Sequence, residues 1–200
     1  MSLFSSLERS SKASRNRSAR HCAVGDGIYH AGHAGLAWRV QRGVVRLDTM
    51  MADGEASFAS LAIAGDIIGC ETMLFGAYTF SASALTQCEL APWPEGTTAP
   101  ASSSLLQSLA TAQQRAAEVV ALRGGQAVDR VLGLIRLFTD NAGQVVLPTR
   151  QDIADITDLR FETISRLIKR LERAHVLQPR KMAGIHATRS FGVDFSQSYA

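Results

Sequence analysis

The spacing of apolar and polar positions changes along the chain, and each change predicts a different kind of element. Between residues 21 and 98 apolar residues alternate in short runs: Leu36, Trp38 and Val40, then Val45 and Leu47, Leu61 and Ile63, Phe80, Ala82 and Ala84, and Cys88 and Leu90. Gly43, Asp53-Gly54 and Gly65-Asp66 punctuate these runs. A period of two broken by turn residues predicts half-buried strands, and many short ones predict a β-roll or jelly roll. From Leu105 the period lengthens. Leu105, Leu109, Ala112, Ala116, Val119 and Leu122 or Arg123 recur at helical spacing until Gly124-Gly125, which predicts a helix of about 20 residues with a narrow apolar stripe. Such a stripe suits a seam between two helices. Packing on its own roll is the competing reading.

The last third continues the helical period. Val128, Val131, Leu132, Leu134, Ile135, Leu137 and Phe138 predict a helix apolar enough to carry a core, and Asn141-Ala142-Gly143 ends it. Val145 to Pro148 is a brief strand. Ile153, Ala154 and Ile156, then Ile164, Leu167, Ile168 and Leu171, predict two short helices with a tight break near Thr157–Arg160, the helix-turn-helix pattern. Val176 to Lys181 and Ile185 to Thr188, around Gly184, predict a two-strand wing. The whole is an α+β chain: a β-roll (a double-stranded β-helix or jelly roll), a long helix, and a winged helix-turn-helix. Its expected segments are an arm at 1–20, a roll at 21–98, the long helix at 99–124 and the helix-turn-helix domain at 125–200.

The second short helix has a divided surface. Its apolar residues face inward and leave Glu162, Thr163, Ser165, Arg166, Lys169, Arg170 and Arg173 outside. Arg forks onto guanine and Glu accepts from cytosine in a major groove. A solvated helix with ordinary surface charges would look similar, and charge distribution separates the two. Net charge is only +3, yet residues 160–189 hold eight basic residues against two acidic ones. Residues 21–124 are net acidic, with five basic against nine acidic. Positive charge gathers on and after the proposed reading helix, as phosphate contact requires. Arg160 before that helix and Arg180, Lys181 and Arg189 on the wing extend the basic surface. Residues 1–20, with five basic and one acidic residue, read as a mobile basic arm.

Composition narrows the remaining possibilities. Hydrophobic residues at 46% and charged residues at 20% describe a globular chain with one or two domains. No apolar run approaches the roughly 18 residues of a membrane span, and no signal peptide is visible. Three widely spaced cysteines, Cys22, Cys70 and Cys88, make neither a metal-type pair nor an even disulfide set, which fits a reducing cytoplasm.

Asp152-Ile153-Ala154-Asp155, Leu159, Glu162-Thr163-Ile164-Ser165-Arg166 and Leu171-Glu172 resemble the helix-turn-helix of the CRP/FNR family of transcription regulators. Ile28-Tyr29, Gly32, Val40, Gly43 to Leu47, Gly65 to Gly69 and Ser81 to Ala84 resemble, more loosely, the family's sensor roll. The resemblance implies a cytoplasmic homodimer, paired through Leu105, Leu109, Ala112, Ala116 and Val119. It also implies a double-stranded DNA site with a TGA or TTGA core, and RNA polymerase as a further partner. The DNA-reading set it implies is Arg160, Phe161, Glu162, Thr163, Ser165, Arg166, Lys169, Arg180 and Lys181. Two departures stand out. Asp158 occupies the turn position where the family usually has Gly, and Asp tolerates a left-handed backbone. Arg160 replaces the usual Ser or Thr before the reading helix, so a cap worth about 1 kcal/mol is missing unless Asp158 supplies it.

The sensor's chemistry follows from the same alignment. Its effector pocket should lie at Gly69, Cys70, Glu71, Phe80 and Ser81. Cyclic-nucleotide binders of the family place Glu and Arg where this chain has Cys70 and Phe80, so a cyclic phosphate would lack its charged partner and cyclic AMP is not expected to bind. An iron–sulfur cluster needs four thiolates and the chain has three cysteines. Haem needs an axial His or Cys; His21, Cys22, His30, His33, Cys70 and Cys88 are candidates that no motif ranks. His30 and His33 read better as turn residues, and Cys70 and Cys88 as small core residues. No cofactor or metal site is evident, and the effector stays unknown. No catalytic motif is present. A cupin-like small-molecule binder or enzyme, and a module whose basic helix binds an acidic protein, are the two alternatives; a cupin would need more clustered His than His30 and His33.

Overall fold

The structure is a computed structural model that describes residues 18–94, 101–181 and 189–196, with only the backbone over 101–105. The expected arm at 1–20 lies almost wholly outside the described residues, and Arg20 opens the first strand. The chain divides into two compact units, Met1–Ser57 with Ala62–Ala112 and Phe58–Leu61 with Gln113–Ala200.

The alternating runs form eight strands, all in the first unit except the Phe58–Leu61 stretch of β5: β1 (Arg20–Cys22), β2 (Gly27–Tyr29), β3 (Ala37–Arg42), β4 (Val44–Met50), β5 (Ala56–Ile63), β6 (Ile67–Ile68), β7 (Ser81–Ala84) and β8 (Cys88–Trp93). They make two four-stranded sheets, β1-β8-β3-β6 and β2-β7-β4-β5, the expected β-roll. In the first sheet Val40 lies opposite Leu90. In the second Val45 lies opposite Ala84 and Leu47 opposite Ala82. Val40, Val45 and Leu90 are completely buried and share one core with Cys22, Ile28, Tyr29, Ile68, Tyr78 and Cys88. Each such aliphatic side chain stabilises the roll by about 1.5–3 kcal/mol. Gly43 turns β3 into β4 at φ 91°, and a Cβ there would sit 2.2 Å from the Gln87 carbonyl oxygen, so only glycine fits. A single-turn helix, α1 (Thr72–Phe75), is an element that the periodicity did not predict; it exposes Met73, Leu74 and Phe75.

The helical stripe forms α2 (Ala101–Ala121), with Val119 and Leu122 buried at its end. In the second unit α3 (Ala127–Phe138) buries Val131, Leu132, Leu134 and Ile135. Gly133 on α3 would place a Cβ 2.9 Å from Leu122 Cδ2, so a larger residue there would have to displace the Leu122 side chain. Asp140 closes the next turn by accepting from the amides of Ala142 at 2.9 Å and Gln144 at 2.8 Å. Strands β9 (Gln144–Val146), β10 (Leu177–Pro179) and β11 (Ser190–Val193) form a sheet in the order β10-β11-β9. The strand that pairs with β10 is not among those expected. The strand placed at Ile185–Thr188 lies outside the described residues; the strand that pairs with β10 is β11, in which Ser190 and Phe191 are buried and Phe191 pairs with both Pro179 and Val145.

Candidate nucleic-acid interface

The helix-turn-helix consists of α4 (Arg150–Thr157) and α5 (Phe161–Arg173). Thr149 and Asp152 start α4 with a reciprocal capping box: the Asp152 amide donates to Thr149 Oγ1 at 3.1 Å, and the Thr149 amide to Asp152 Oδ2 at 3.1 Å. Ile153, Ala154 and Ile156 are buried on its inner face. Asp158 ends it in the left-handed region, at φ 52° and ψ 46°, with its amide donating to the Ala154 carbonyl. Asp therefore fills the position usually taken by glycine, in the conformation the turn requires. That role is a C-cap of α4. Arg160 is the N-cap residue of α5 and makes no side-chain cap bond, so the expected missing cap is real.

Ile164, Ile168 and Leu171 bury the inner face of α5, and Leu167 is half-buried beside them. The opposite face is open. Arg160, Phe161, Glu162, Arg166 and Lys169 are exposed, and Thr163 and Ser165 are half-exposed. Arg170 and Arg173 lie exposed in the last turn of α5, where a cation also opposes the helix dipole. Arg180 and Lys181 are exposed just after β10. A Cβ on Gly192 would come within 3.1 Å of Arg180 Nε, so Arg180 lies close over the β11 backbone. Arg189, also expected on the wing, is half-buried and donates from Nε to the Leu147 carbonyl at 2.9 Å.

The stripe on α2 departs from expectation at Val119. Leu109, Ala112 and Ala116 are exposed, as expected of residues available to a partner. Val119 is not available: it is 5% exposed and packs within its own chain, whereas its neighbour Val120 is 71% exposed. The side chain of Leu105 lies outside the described residues; Leu106 is 68% exposed. Among the described residues the exposed stripe is thus Leu106, Leu109, Ala112, Ala116 and Val120. The face between carries an Arg115–Glu118 ion pair.

Tyr78 sits against the first of the expected effector residues. Gly69 is buried at φ 73°, and a Cβ there would lie 2.7 Å from Tyr78 Cε1. Tyr78 stacks on Tyr29 with ring centroids 3.8 Å apart and an 8° interplanar angle. Its hydroxyl donates to the Leu36 carbonyl at 2.7 Å. Gly35 presses on the other edge of the ring, where a Cβ would sit 2.1 Å from the hydroxyl. Burial pushes both tyrosine hydroxyls up from their ordinary ionisation range, and Glu71 adds to the shift. Ser81 Oγ is engaged by the Ala31 amide at 3.1 Å, and Glu71 Oε1 by the Thr79 amide at 3.3 Å. Phe80 is half-buried.

Cys70 is half-buried rather than a core residue, and burial raises its thiol. Cys22 and Cys88 are buried and lie opposite one another on β1 and β8; burial pushes the Cys88 thiol up to about 11. His30 and His33 are exposed beside a turn, as expected. Sequence reasoning missed the pairing of Tyr29 with Tyr78; two glycines that must stay small beside one aromatic ring are visible only once the chain is folded.

Among the described residues no helix is long and apolar enough to cross a membrane. No protein-family profile matches the chain. The nitrogen fixation regulation protein FixK of Rhizobium meliloti is 30% identical over 145 residues, covering 70% of this chain and 68% of FixK. FixK of Azorhizobium caulinodans is 33% identical over 150 residues, covering 66% of this chain and 60% of its own length. Two solved structures share the fold. A CRP-family transcriptional regulator from Thermus thermophilus superposes with a TM-score of 0.68 at 23% identity, covering 88% of this chain and 93% of its own. FixK2 from Bradyrhizobium japonicum gives 0.66 at 22% identity, covering 90% and 93%. With its β-roll, helix-turn-helix and relatives, the chain belongs to the CRP/FNR family of DNA-binding transcription regulators.

Proposed function

We infer that this regulator works as a homodimer that reads a palindrome with TTGA-type half-sites through α5. One observation carries the reading. The face of α5 opposite its buried Ile164, Ile168 and Leu171 presents Phe161, Glu162, Arg166 and Lys169 to solvent along one helix. Arg166 holds the guanine of the TGA core, Glu162 accepts from the cytosine opposite, and Ser165 supports a neighbouring base. Phe161 cannot donate to guanine but can touch a thymine methyl, which favours TTGA over TGTGA. Arg160, Thr163, Lys169, Arg180 and Lys181 position the chain on phosphates. The exposed stripe on α2 pairs two copies, and two-fold symmetry then sets half-sites about one helical turn apart, roughly 34–36 Å.

Selection from random duplexes tests the reader. Arg166→Ala should cost about 1–3 kcal/mol and relax preference at the guanine, whereas Lys169→Ala should weaken all sequences alike and flatten the salt slope by about one. An unchanged motif with Arg166→Ala would exclude α5 as the reader. Sedimentation tests the dimer. Leu109 is 64% exposed, so Leu109→Glu should leave each chain folded. It would bury an unpaired charge in the seam, at several kcal/mol, and leave monomers that bind DNA poorly.

We also infer that the roll binds no cyclic nucleotide at the Gly69–Ser81 site. Tyr78 fills the space beside Gly69, and Ser81 and Glu71 already accept backbone hydrogen bonds. Calorimetric titration with cyclic AMP should show no micromolar binding.

A further inference from the structure

The last turn of α4 is completed by residues outside the helix-turn-helix. A helix leaves its last four carbonyls without intrahelical donors, and the last turn of α4 contains no basic residue of its own. All four carbonyls nonetheless have donors. The Ala154 oxygen accepts from the amides of Asp158 and, at 3.1 Å, Leu159. The Asp155 oxygen accepts from Arg123 Nη2 at 2.8 Å, and the Ile156 oxygen from Arg123 Nε at 3.2 Å. The Thr157 oxygen accepts from Arg130 Nη1 at 3.2 Å. Arg130 Nε also donates to the Gly125 oxygen at 3.2 Å. Arg123 follows α2 by two residues, Arg130 is on α3, and all these groups belong to the same compact unit.

This arrangement fixes a direction as well as a distance. A guanidinium is a rigid planar fork, so two donors of Arg123 on successive carbonyls constrain the tilt of the helix end. Both cations also sit at the negative end of the α4 dipole. Only Asp158, Leu159 and Arg160 separate α4 from α5, so the direction of α4 is passed to the reading helix. The Arg123–Asp155 bond is solvent-exposed. Water can therefore replace the donor without unfolding the turn, but it cannot hold the tilt. We propose that Arg123 and Arg130 are positioning residues for DNA recognition: they clamp the C-terminal carbonyls of α4 and so set the direction in which α5 is presented beyond the end of α2.

The test uses the full chain and rests on the dimer reading above through one of its two arms. Duplexes carrying the selected half-site as an inverted repeat, with the centre-to-centre spacing varied one base pair at a time, are titrated with the parent, Arg123→Met, Arg130→Met and Arg123→Lys. The parent should prefer one spacing. Both Met variants should select the same half-site sequence but discriminate between the best and next spacing about tenfold less, a loss of about 1.4 kcal/mol. Arg123→Lys, a point charge without the fork, should restore only part of the preference. Lost stability alone would weaken binding at every spacing equally. Folded Met variants that keep the parental spacing profile overturn the proposal. Should either Met variant fail to fold, Arg130→Lys, which keeps the charge and loses the fork, gives the same comparison. A parent indifferent to spacing overturns the dimer reading; the clamp is then judged on a single half-site, where a loss below about tenfold for Arg123→Met overturns it.

Discussion

The reading helix and the stretch from Gly69 to Ser81 were both marked by the same family resemblance, and the fold treats them in opposite ways. On α5 the marked residues Phe161, Glu162, Arg166 and Lys169 stand in solvent, and the helix spends its apolar residues on the core behind them. In the roll the marked residues are turned to internal work. Gly69 makes room for Tyr78, which stacks on Tyr29, and Ser81 and Glu71 accept backbone amides. A surface that reads a partner needs only one helix with the right face outward. A pocket needs several strands to leave a gap, and one well-placed aromatic closes it. Under the function proposed above, the family's template is kept at the reader and altered at the sensor.

The largest expected effect tests the altered side. Tyr78→Ala should remove the stack and leave a cavity in the roll, costing about 3–5 kcal/mol in urea unfolding, as for other large aromatic truncations. The selected DNA motif should be unchanged, because the substitution leaves α5 alone. A loss under about 1 kcal/mol would mean the stack does not support the core. Phe161→Arg tests the open side and should show the reverse split. Thermal stability should move by no more than about 0.5 kcal/mol, since the site is a surface position. The selected half-site should gain a guanine by about 1–3 kcal/mol, shifting from TTGA towards TGTGA. An unshifted motif would place Phe161 away from the bases.

The smallest effect concerns the thiols, and it grades burial within the roll. A raised thiol ionisation leaves less thiolate, by about tenfold for each unit. Iodoacetamide at pH 8 should therefore label half-buried Cys70 first and Cys88, pushed up to about 11, last, with peptide mass spectrometry following each site. Labelling of Cys88 should keep accelerating as pH rises towards 11, whereas an equal rate at all three cysteines would contradict the burial assigned to β1 and β8.

How much the sequence disclosed follows the same division. The helix-turn-helix was legible because its residues are contiguous. The inner stripe Ile164, Ile168 and Leu171 lies on α5 as its spacing predicts, and the break at Thr157–Arg160 falls where Asp158 turns left-handed. The strand runs around Gly43, Gly54 and Gly65 were legible for a similar local reason, each glycine taking a positive φ. Three things were not legible. The α2 stripe could be drawn through Val119 or Val120, because a helix with apolar residues on two faces does not state which face its own chain covers. The pairing of Ser190–Val193 with β9 and β10 could not be read either, because Phe191 is buried against β9, and β9 is far away in sequence. Tyr29 and Tyr78 meet only through the roll's topology. The clamp on α4 had one faint signal, a last turn without its own cation, but nothing in the sequence said that Arg123 and Arg130 would supply it.

Asp158 carries one more consequence, which concerns the unfolded chain. An ordinary L-residue in the left-handed region is strained by about 1–2 kcal/mol, and Asp by less. Glycine, the family's usual choice there, would relieve that strain. It would also widen the range of backbone conformations open to the unfolded chain, which disfavours folding by about 0.5–1 kcal/mol. The two effects oppose each other, so the joint between α4 and α5 loses little by having a side chain at φ 52°. Its firmness comes partly from conformational freedom that the unfolded chain never has.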